Sequence, residues 1–435
     1  MRCNKVSFNL AVAMVAAVAT LLSAGTRAVA QTETDLYSFG GVLDTSGSAP
    51  RAALVRDAAG NLYGSTLYGG SYSFEGILGW GTVFELSPTA GGGWTETVLH
   101  SFNQDGTDGV QPESSLVLDG AGNLYGTTYG GGVHGFGTVF KLSPTASGTW
   151  TEAILHSFNS PGDGYTPAGG LALDSGGNLY GTTAEGGRYS SGTVFELSPT
   201  AGGLWIEKIL HHFGGSSTDG GGPMTGVAID AGGNLYGTTS TGGSYGVGTV
   251  YEISNRTGTE KVLHSFSNTG REGYAPAAGV ILDAEGNLYG TTSAGGTTQH
   301  CGAQRCPPPY GTVFELTSGA GGGWSLKVLH TFVNNGKDGY SSDASLIFDN
   351  AGNLFGTTSA GGPNGYGTVF KLAPTGNGSR TETVLYGWGN TSSSNAPRAG
   401  VIVDDTGHLY GTTPGDSSGN GAVFEVATNG VTRED

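Results

Sequence analysis

The sequence predicts an all-β protein, a seven-bladed β-propeller with four antiparallel strands in each blade. Three observations support this: one phrase recurs seven times, each copy lies in a run of four short strands, and one further strand stands alone near the start of the chain. The phrase is Gly-Asn-Leu-Tyr-Gly-Thr-Thr, with small variations, and such periodicity is typical of an array of one supersecondary unit. Its copies begin at Gly60, Gly122, Gly177, Gly233, Gly286, Gly352 and Gly407.

Each repeat contains four short runs that favour extended backbone, which we label strands a, b, c and d in chain order. In residues 170–213, strand a is Gly-Leu-Ala-Leu-Asp, strand b is Asn-Leu-Tyr-Gly-Thr-Thr, strand c is Gly-Thr-Val-Phe-Glu-Leu-Ser, and strand d begins at Trp205. Gly, Pro, Asp or Asn bounds each run, and none has a helical period over ten residues. Four-stranded sheets repeated radially are the blades of a propeller, and their stacking accounts for the almost wholly apolar inner strands.

The two ends of the chain predict how the ring closes. Seven a, seven b and seven c strands are accompanied by only six d strands after the first phrase. The missing one is at residues 35–39, from Asp35 to Phe39, where Leu-Tyr-Ser-Phe matches the Leu-His-Ser-Phe end of strand d. We expect this strand to complete the last blade, because closure removes an exposed sheet edge. A linear β-solenoid is the alternative, since it needs no such exchange of ends.

The phrase Gly-Asn-Leu-Tyr-Gly-Thr-Thr followed by Gly-Thr-Val-Phe-Glu-Leu resembles the GloVer (Gloeo-Verruco) tandem repeat of bacterial extracellular proteins. The resemblance covers essentially all of the chain after its first thirty residues. It implies a choice-of-anchor protein, a type whose members carry different C-terminal sorting tails, although this chain ends without a recognisable one. It implies no established reaction and supplies no catalytic residues.

The first thirty residues have the pattern of a secretory signal peptide, so that the propeller is expected at residues 31–435. Arg2 and Lys5 precede an apolar run over residues 10–24, and Ala-Val-Ala before residue 31 offers a cleavage site. The run is too short for a membrane span, and an uncleaved signal anchor is the alternative. We therefore expect a secreted or periplasmic, soluble protein, and a monomer.

The charge of the chain argues against nucleic acid and anionic membranes as partners. The 18 Lys and Arg residues face 35 Asp and Glu residues, which gives a formal net charge of −17, and loss of the first thirty residues brings it to about −20. Nucleic acid and anionic lipid both need a basic footprint on the protein. Such a surface suits cations and neutral ligands such as sugars.

Two kinds of polar residue recur with the blades and are interpreted as scaffold. An Asp precedes each phrase, and we expect it to form the turn by bonding to nearby backbone. A His near the end of strand d recurs in five blades, and we expect inter-blade hydrogen bonding from it. These residues are Asp57, Asp119, Asp174, Asp230, Asp283, Asp349 and Asp404, then His100, His156, His211, His264 and His330, with Tyr37 and Tyr386 at the His position of the other two blades.

Two irregular b-to-c loops on one face form the candidate ligand-binding site. The loop of blade 1 spans residues 67–80 and that of blade 5 spans residues 293–310, whereas the other b-to-c loops are about half as long. The two blades are nearly opposite in a ring of seven, so their loops are expected to flank the channel mouth, with neutral drift of surface loops as the alternative. The candidate residues are Tyr68, Tyr72, Phe74, Glu75, Trp80, His300, Arg305 and Tyr310.

The blade 5 loop also contains Cys301 and Cys306, which we expect to form a disulfide in an oxidising compartment. A zinc site that includes His300 is the alternative, but two thiols and one imidazole fall short of a closed tetrahedral set. No cofactor is expected, apart from Ca²⁺ as a weaker alternative, because the d-to-a loops of this face carry carboxylates that otherwise form turns. These are Asp105, Asp108, Asp163, Asp219, Glu272 and Asp338.

Three functions fit these features. A binding or structural module comes first, with an extracellular glycan or surface component held by aromatic and carboxylate side chains of the loop face. An extracellular lyase or hydrolase with an axial pocket comes second, because it requires an unrepeated acid/base pair that converges on the channel. A structural or adhesive component without pocket chemistry is the third. The ligand stays unnamed at this stage.

Overall fold

Seven four-stranded antiparallel sheets form a closed ring in the computed structural model, which confirms the predicted seven-bladed propeller. The structure describes residues 33–40, 44–72, 79–159, 162–267, 269, 271–296, 310–319, 321–389, 396–415 and 420–428. None of these residues lies in a helix, and so none belongs to a helix long and apolar enough to cross a membrane. The predicted signal peptide lies outside the described residues.

The strands follow the order a, b, c, d within each sheet, with strand a innermost. The a strands are Val55–Arg56, Val117–Leu118, Ala172–Leu173, Ala228–Ile229, Ile281–Leu282, Ile347–Phe348 and Ile402–Val403. The b strands are Leu62–Thr66, Leu124–Thr128, Leu179–Thr183, Leu235–Thr239, Leu288–Thr292, Leu354–Thr358 and His408–Thr413. The c strands are Thr82–Pro88, Thr138–Pro144, Thr193–Pro199, Thr249–Ile253, Thr312–Ser318, Thr368–Pro374 and Gly421–Ala427. The d strands are Trp94–Ser101, Trp150–Ser157, Trp205–His212, Glu260–Ser265, Trp324–Thr331, Arg380–Gly387 and, for blade 7, Glu33–Phe39.

Three short strand pairs link the d-to-a segments to the b-to-c loops, which places these two sets of connections on the same face. The pairs are Gly109–Val110 with Gly130–Gly131, Gly220–Gly221 with Thr241–Gly242, and Gly339–Tyr340 with Ala360–Gly361. We call this side of the ring the loop face.

The N-terminal strand closes the ring as predicted. Glu33–Phe39 pairs antiparallel with Gly421–Ala427, strand c of blade 7. From there Phe39 packs into blade 1, where its ring centroid lies 5.2 Å from that of Phe84. The last blade is therefore built from both ends of the propeller, and the linear solenoid is excluded.

The glycine and the two threonines that end the repeated phrase each have a definite packing role. A Cβ on Gly126 would lie 2.6 Å from Cζ of Phe140 in strand c, so only glycine leaves room for that ring. Thr128 bonds through its hydroxyl to that of Thr138 at 2.8 Å, which ties strand b to the start of strand c. The first threonine faces the next blade.

The first threonine of the phrase, or Ser65 in blade 1, donates a hydrogen bond to the carbonyl of the neighbouring blade's segment before strand a. Thr127, for example, donates to the Pro167 carbonyl at 3.0 Å, and Thr412 of blade 7 donates to the Ala52 carbonyl of blade 1 at 2.9 Å. The other five pairs are Ser65 with Pro112, Thr182 with Thr225, Thr238 with Ala278, Thr291 with Ala344 and Thr357 with Ala399. The phrase is therefore an inter-blade connection.

A second inter-blade contact lies farther from the axis, where the aromatic residue after strand d packs on an aromatic ring of the next blade's strand c. Phe102 is fully buried, and its ring lies edge-on to that of Phe140 at 5.2 Å. The same contact recurs at every interface: Phe39 with Phe84, Phe158 with Phe195, Phe213 with Tyr251, Phe266 with Phe314, Phe332 with Phe370 and Trp388 with Phe424. Such edge-to-face pairs add to the stability from burial alone.

The aspartates before the phrase form turns, as the sequence predicts. Asp119 Oδ1 accepts bonds from the backbone amides of Ala121 and Asn123, and Oδ2 accepts from the Asn123 side chain and from the Tyr125 hydroxyl at 3.0 Å. Burial opposes ionisation, but the hydrogen bonds outweigh it and lower the pKa of Asp119. The same turn recurs at the other six aspartates.

We expect Phe39→Ala to lower the free energy of unfolding by about 3–5 kcal/mol, the usual cost of truncating a buried phenylalanine. Phe39 is 2% exposed and bridges blades 7 and 1. Urea unfolding measures the change. Ser38→Ala is the matched control, because Ser38 is exposed in the same strand, and it should stay within about 0.5 kcal/mol of the parent. Equal stability of the two variants would contradict ring closure through this strand.

Candidate functional site

The predicted loop residues fall into two groups. Phe74, Glu75, His300 and Arg305, together with Cys301 and Cys306, lie outside the described residues. Tyr72 is 49% exposed, and Tyr68 bridges through its backbone to Ser48. Trp80 packs against the hydrophobic cluster between blades 1 and 2, and Tyr310 packs against the one between blades 5 and 6. Of the described candidates, Tyr72 is the one most available to a ligand.

A further set of side chains surrounds the propeller axis on the loop face. Each comes from the segment before strand a, where it follows a proline in six blades and Ser342 in blade 6. The preceding backbone has a positive φ in every blade, from 51° at Ala275 to 61° at Thr166. Only blade 4 uses glycine there, so the other blades hold this left-handed turn at some cost in strain. The seven side chains are Arg51, Glu113, Ala168, Met224, Ala277, Asp343 and Arg398, and we call them the axial mouth.

The axial mouth is charged on one side and apolar on the other. Blades 6, 7, 1 and 2 contribute Asp343, Arg398, Arg51 and Glu113 in ring order, and blades 3 to 5 contribute alanine, Met224 and alanine. Arg51 Nη1 lies 3.4 Å from Glu113 Oε1. Burial raises the pKa of Asp343, although the charge of Arg398 opposes the rise. Met224 is 54% exposed.

Backbone contacts between blades narrow the channel at the mouth. A Cβ on Gly226 would lie 2.2 Å from the Gly170 carbonyl oxygen, and one on Gly169 would lie 2.4 Å from the Thr225 carbonyl carbon. The cavity that the seven segments enclose has a volume of about 170 Å³. This volume is smaller than the roughly 300–1,000 Å³ of sites that enclose a small molecule.

Sequence analysis did not single out the four charged axial residues, although the signal was present. Alignment of the seven repeats places them at one position of a short segment, which follows a proline in six blades and is followed by two small residues in all seven. Repeated residues and long loops are visible along the chain, whereas a position that changes in chemistry from blade to blade is visible only when the repeats are aligned.

The histidines of strand d lie in clusters at the outer ends of the blade interfaces. In blade 1, strand d contains a β-bulge opposite Val83 and Phe84 of strand c. The bulge precedes His100 and changes the direction of its side chain. The aspartate comes from the d-to-a loop of the same blade, and the glutamate comes from strand d of the next blade. Within the described part of the chain, four clusters are complete, and we call them rim clusters: His100–Asp108–Glu152, His156–Asp163–Glu207, His211–Asp219–Glu260 and His330–Asp338–Glu382.

The aspartates of the rim clusters accept hydrogen bonds from backbone amides of their own loops, as expected of turn residues, but they are also buried and contact histidine. His156 Nε2 lies 3.0 Å from Asp163 Oδ2 and 3.6 Å from Glu207 Oε1, so the histidine joins both carboxylates across the interface. Asp108, Asp163, Asp219 and Asp338 each belong to a different cluster, while Asp105 is exposed and accepts bonds from the Thr107 and Asp108 amides. The sequence showed the His-to-Asp spacing of seven or eight residues, but the glutamate lies a whole repeat away.

Burial dominates the protonation of the rim glutamates. It raises the pKa of Glu152 to about 7, although the charge of His100 opposes the rise. The same cause raises the pKa of the equivalent glutamate to about 7 at five other interfaces, including the two that have tyrosine in place of histidine. Each of these carboxylates leaves Oε1 buried without a hydrogen-bond partner.

The fold and these two regions define an all-β propeller repeat protein with an unrepeated axial mouth and a repeated acidic rim. The model of the Gloeobacter/Verrucomicrobia repeat family matches residues 25–229, 72–304 and 296–434. The chain belongs to this family, which confirms the resemblance of its repeated phrase.

Two solved structures are similar to this chain at low sequence identity. An ulvanlyase, a polysaccharide lyase bound to -[GlcA(1-4)Rha3S]-, is 12% identical with a TM-score of 0.48, over 80% of this chain and 86% of its own. A gluconolactonase from Xanthomonas campestris is 14% identical with a TM-score of 0.40, over 77% of this chain and 87% of its own. At these values the similarity does not extend to site or reaction. No curated protein matches the sequence.

We expect stability to fall as the pH rises from 4.5 to about 7, and Glu96→Gln to reduce that fall. Burial, and then the charge of Asp44, raise the pKa of Glu96 from 4.5 to about 7. Across this window the folded state keeps a proton that the unfolded chain releases, so each rise in pH favours unfolding. Glutamine has no proton to lose. Tyr37 faces Glu96 and stays neutral throughout, because burial raises its pKa above 10.

Urea unfolding at both ends of this pH window measures the effect. Glu285→Gln is the matched control, because Glu285 is exposed in a turn and should leave the pH dependence unchanged. The other five buried glutamates keep part of the fall in the Glu96→Gln variant. A pH dependence as steep as that of the parent would contradict the assigned protonation.

Proposed function

We propose that this protein is an extracellular binding module that holds a carbohydrate ligand across its axial mouth. The observation that carries the proposal is the variation among the seven axial positions, which differ in charge and polarity although each follows the same left-handed turn and precedes two small residues. Structural constraint would favour the same residue in every blade, as it does for the phrase, the turn aspartates and the packed aromatic rings. Variation at one such position is what recognition of an asymmetric ligand requires.

The charged side of the mouth suits the hydroxyl groups of a sugar. Glu113 and Asp343 offer acceptors, and Arg51 and Arg398 offer donors, so hydroxyls that both donate and accept find partners along one arc. Arg398 is exposed. Its planar guanidinium can also bind a carboxylate through two parallel hydrogen bonds, so a sugar acid fits this arc as well as a neutral sugar.

The apolar side of the mouth suits the C–H face of the same ligand. Met224 is more than half exposed between two alanine positions, and its unbranched thioether adapts to irregular apolar surfaces. Tyr72 is exposed on the loop face as well, in blade 1 on the charged side of the ring, and it offers a ring on which a sugar can stack. The remaining loop candidates of blades 1 and 5 stay part of this proposal. A ligand with one polar and one apolar face is the class that matches this division.

The setting that we propose is outside the cell. The first thirty residues have the pattern of an export signal, and the formal charge of −17 disfavours polyanionic partners such as nucleic acid. The narrow channel supports binding at the surface over enclosure, which fits a glycan chain or another surface component better than a small metabolite.

We expect Arg398→Ala to weaken glycan binding roughly ten- to a hundred-fold, because a hydrogen bond to a charged group contributes about 1.5–3 kcal/mol. A glycan array identifies ligands among neutral and uronic-acid oligosaccharides, and calorimetry measures their affinities. Arg256→Ala is the matched control, since Arg256 is exposed in a c-to-d turn on the opposite face and should bind as the parent does. Arg398→Ala binding as tightly as the parent, or no glycan bound at all, would contradict the proposal.

The second candidate, a lyase or hydrolase, rests on Asp343. A carboxyl with a raised pKa beside an arginine at a channel mouth has the environment of a general acid or base. Incubation of a bound glycan with the protein distinguishes the two functions. New chain ends that form with the parent but not with Asp343→Asn support the enzyme, and an unchanged glycan supports the binding module.

A further inference from the structure

Each rim cluster brings one imidazole nitrogen and two carboxylates to within 4.8 Å of one another. His Nε2 lies 3.0–3.3 Å from the aspartate oxygen in the four clusters, and 3.5–3.8 Å from the glutamate oxygen in three of them. Two donors that bind one zinc ion at about 2.0–2.1 Å and at the tetrahedral angle lie roughly 3.4 Å apart. The donor atoms are therefore spaced as they would be around a single metal ion.

The buried oxygens of the rim clusters lack the partners that a purely structural network provides. Oε1 of Glu152, Glu207, Glu260 and Glu382 is buried and makes no hydrogen bond, and in three of these residues the nearest histidine nitrogen is 3.5–3.8 Å away. Asp338 is only 4% exposed, and its Oδ1 has no partner either, while Oδ2 accepts from the Val333 amide and lies 3.2 Å from His330 Nε2. Buried acceptors of this kind are normally satisfied, here by a proton on the glutamate or by a bound cation, and the spacing of the three donor atoms suits the cation.

The cluster between blades 3 and 4 also has an entry path. His211, Asp219 and Glu260 all line an open cavity of about 430 Å³. His212 and Arg188 line it too, and the His212 ring accepts a hydrogen bond from the Arg188 amide. A metal ion at this cluster would keep positions open for water or a further ligand from the cavity.

The geometry points to a binding site for a divalent transition-metal ion in each rim cluster, with zinc as the matching class and the His211–Asp219–Glu260 cluster as the most accessible. One imidazole and two carboxylates give the mixed nitrogen and oxygen set that such ions take, with a fourth position open. Calcium prefers six to eight oxygen ligands, which the three side chains do not supply. This inference is independent of the axial mouth and of its ligand.

The chain contains its own incomplete cluster at the interface between blades 4 and 5. His264 Nε2 lies 3.4 Å from Glu272 Oε2, but the position equivalent to Glu152 and Glu260 is Leu326. This interface has two ligands instead of three, and we expect it to bind zinc much more weakly than the four complete clusters.

Equilibrium dialysis of the full chain against Zn²⁺, with bound metal counted by elemental analysis, tests the inference. We expect Glu260→Gln and Glu152→Gln each to remove one equivalent of bound zinc relative to the parent. Leu326→Glu should add one equivalent, because it completes the fifth cluster. Glu285→Gln is the control and should leave the count unchanged, since Glu285 is an exposed turn carboxylate that belongs to none of the rim clusters.

The additional zinc equivalent expected from Leu326→Glu keeps the test decisive if Glu260→Gln or Glu152→Gln folds poorly. Co²⁺ in place of Zn²⁺ should give visible absorption bands that Glu260→Gln weakens. No saturable zinc binding below millimolar concentration would overturn the inference. Zinc binding with the same count in the parent, Glu260→Gln and Leu326→Glu would also overturn it, because the metal would then sit elsewhere.

Discussion

Contact between neighbouring blades is the interaction on which the rest of this structure depends. Every sheet has an inner strand of only two residues and would be unstable alone. Each interface between blades adds a hydrogen bond from a threonine or serine hydroxyl to a carbonyl near the axis, and an edge-on aromatic pair farther out. The same two contacts appear at all seven interfaces, including the one where both ends of the propeller meet. A ring held this way is rigid, and it brings seven equivalent positions together at the axis and seven others at the rim.

The candidate sites lie in two regions, the axis and the rim, which differ in how far their side chains follow the sevenfold repeat. At the axis, the blades present different side chains on the same backbone turn, so the mouth is asymmetric and suited to recognise one orientation of a ligand. At the rim, the blades present nearly the same side chains, so one kind of ionic site is copied four times. Side chains that differ between blades at the axis indicate ligand recognition. Side chains that repeat at the rim indicate contact between blades, here through buried carboxylates that need a cation or a proton.

The scaffold was predictable from the sequence because its determinants are local and repeated. The phrase and the Asp turn before it lie within a few residues of each other, and seven copies average out local variation. The strand that ends at Phe39 was predictable because it matches the end of the six d strands that follow it. The sites were less predictable. Glu152 meets His100 only after an intervening stretch of about fifty residues folds back. Asp343 and Arg398 become part of a charged site only when the ring closes, because closure places blades 6 and 7 beside blades 1 and 2. The length of a loop can be read from a sequence, whereas the meeting of distant side chains at one site cannot.

The unfolding free energy of Thr357→Val measures whether the repeated phrase connects blades. Thr357 is fully buried and donates to the Ala399 carbonyl of the next blade at 2.8 Å, so valine removes the bond and leaves a buried acceptor unpaired. A loss of about 1–3 kcal/mol is expected. Thr381→Val, on the exposed face of strand d in the same blade, should change stability by less than about 0.5 kcal/mol. Equal, small effects of the two substitutions would contradict the role that we assign to the phrase.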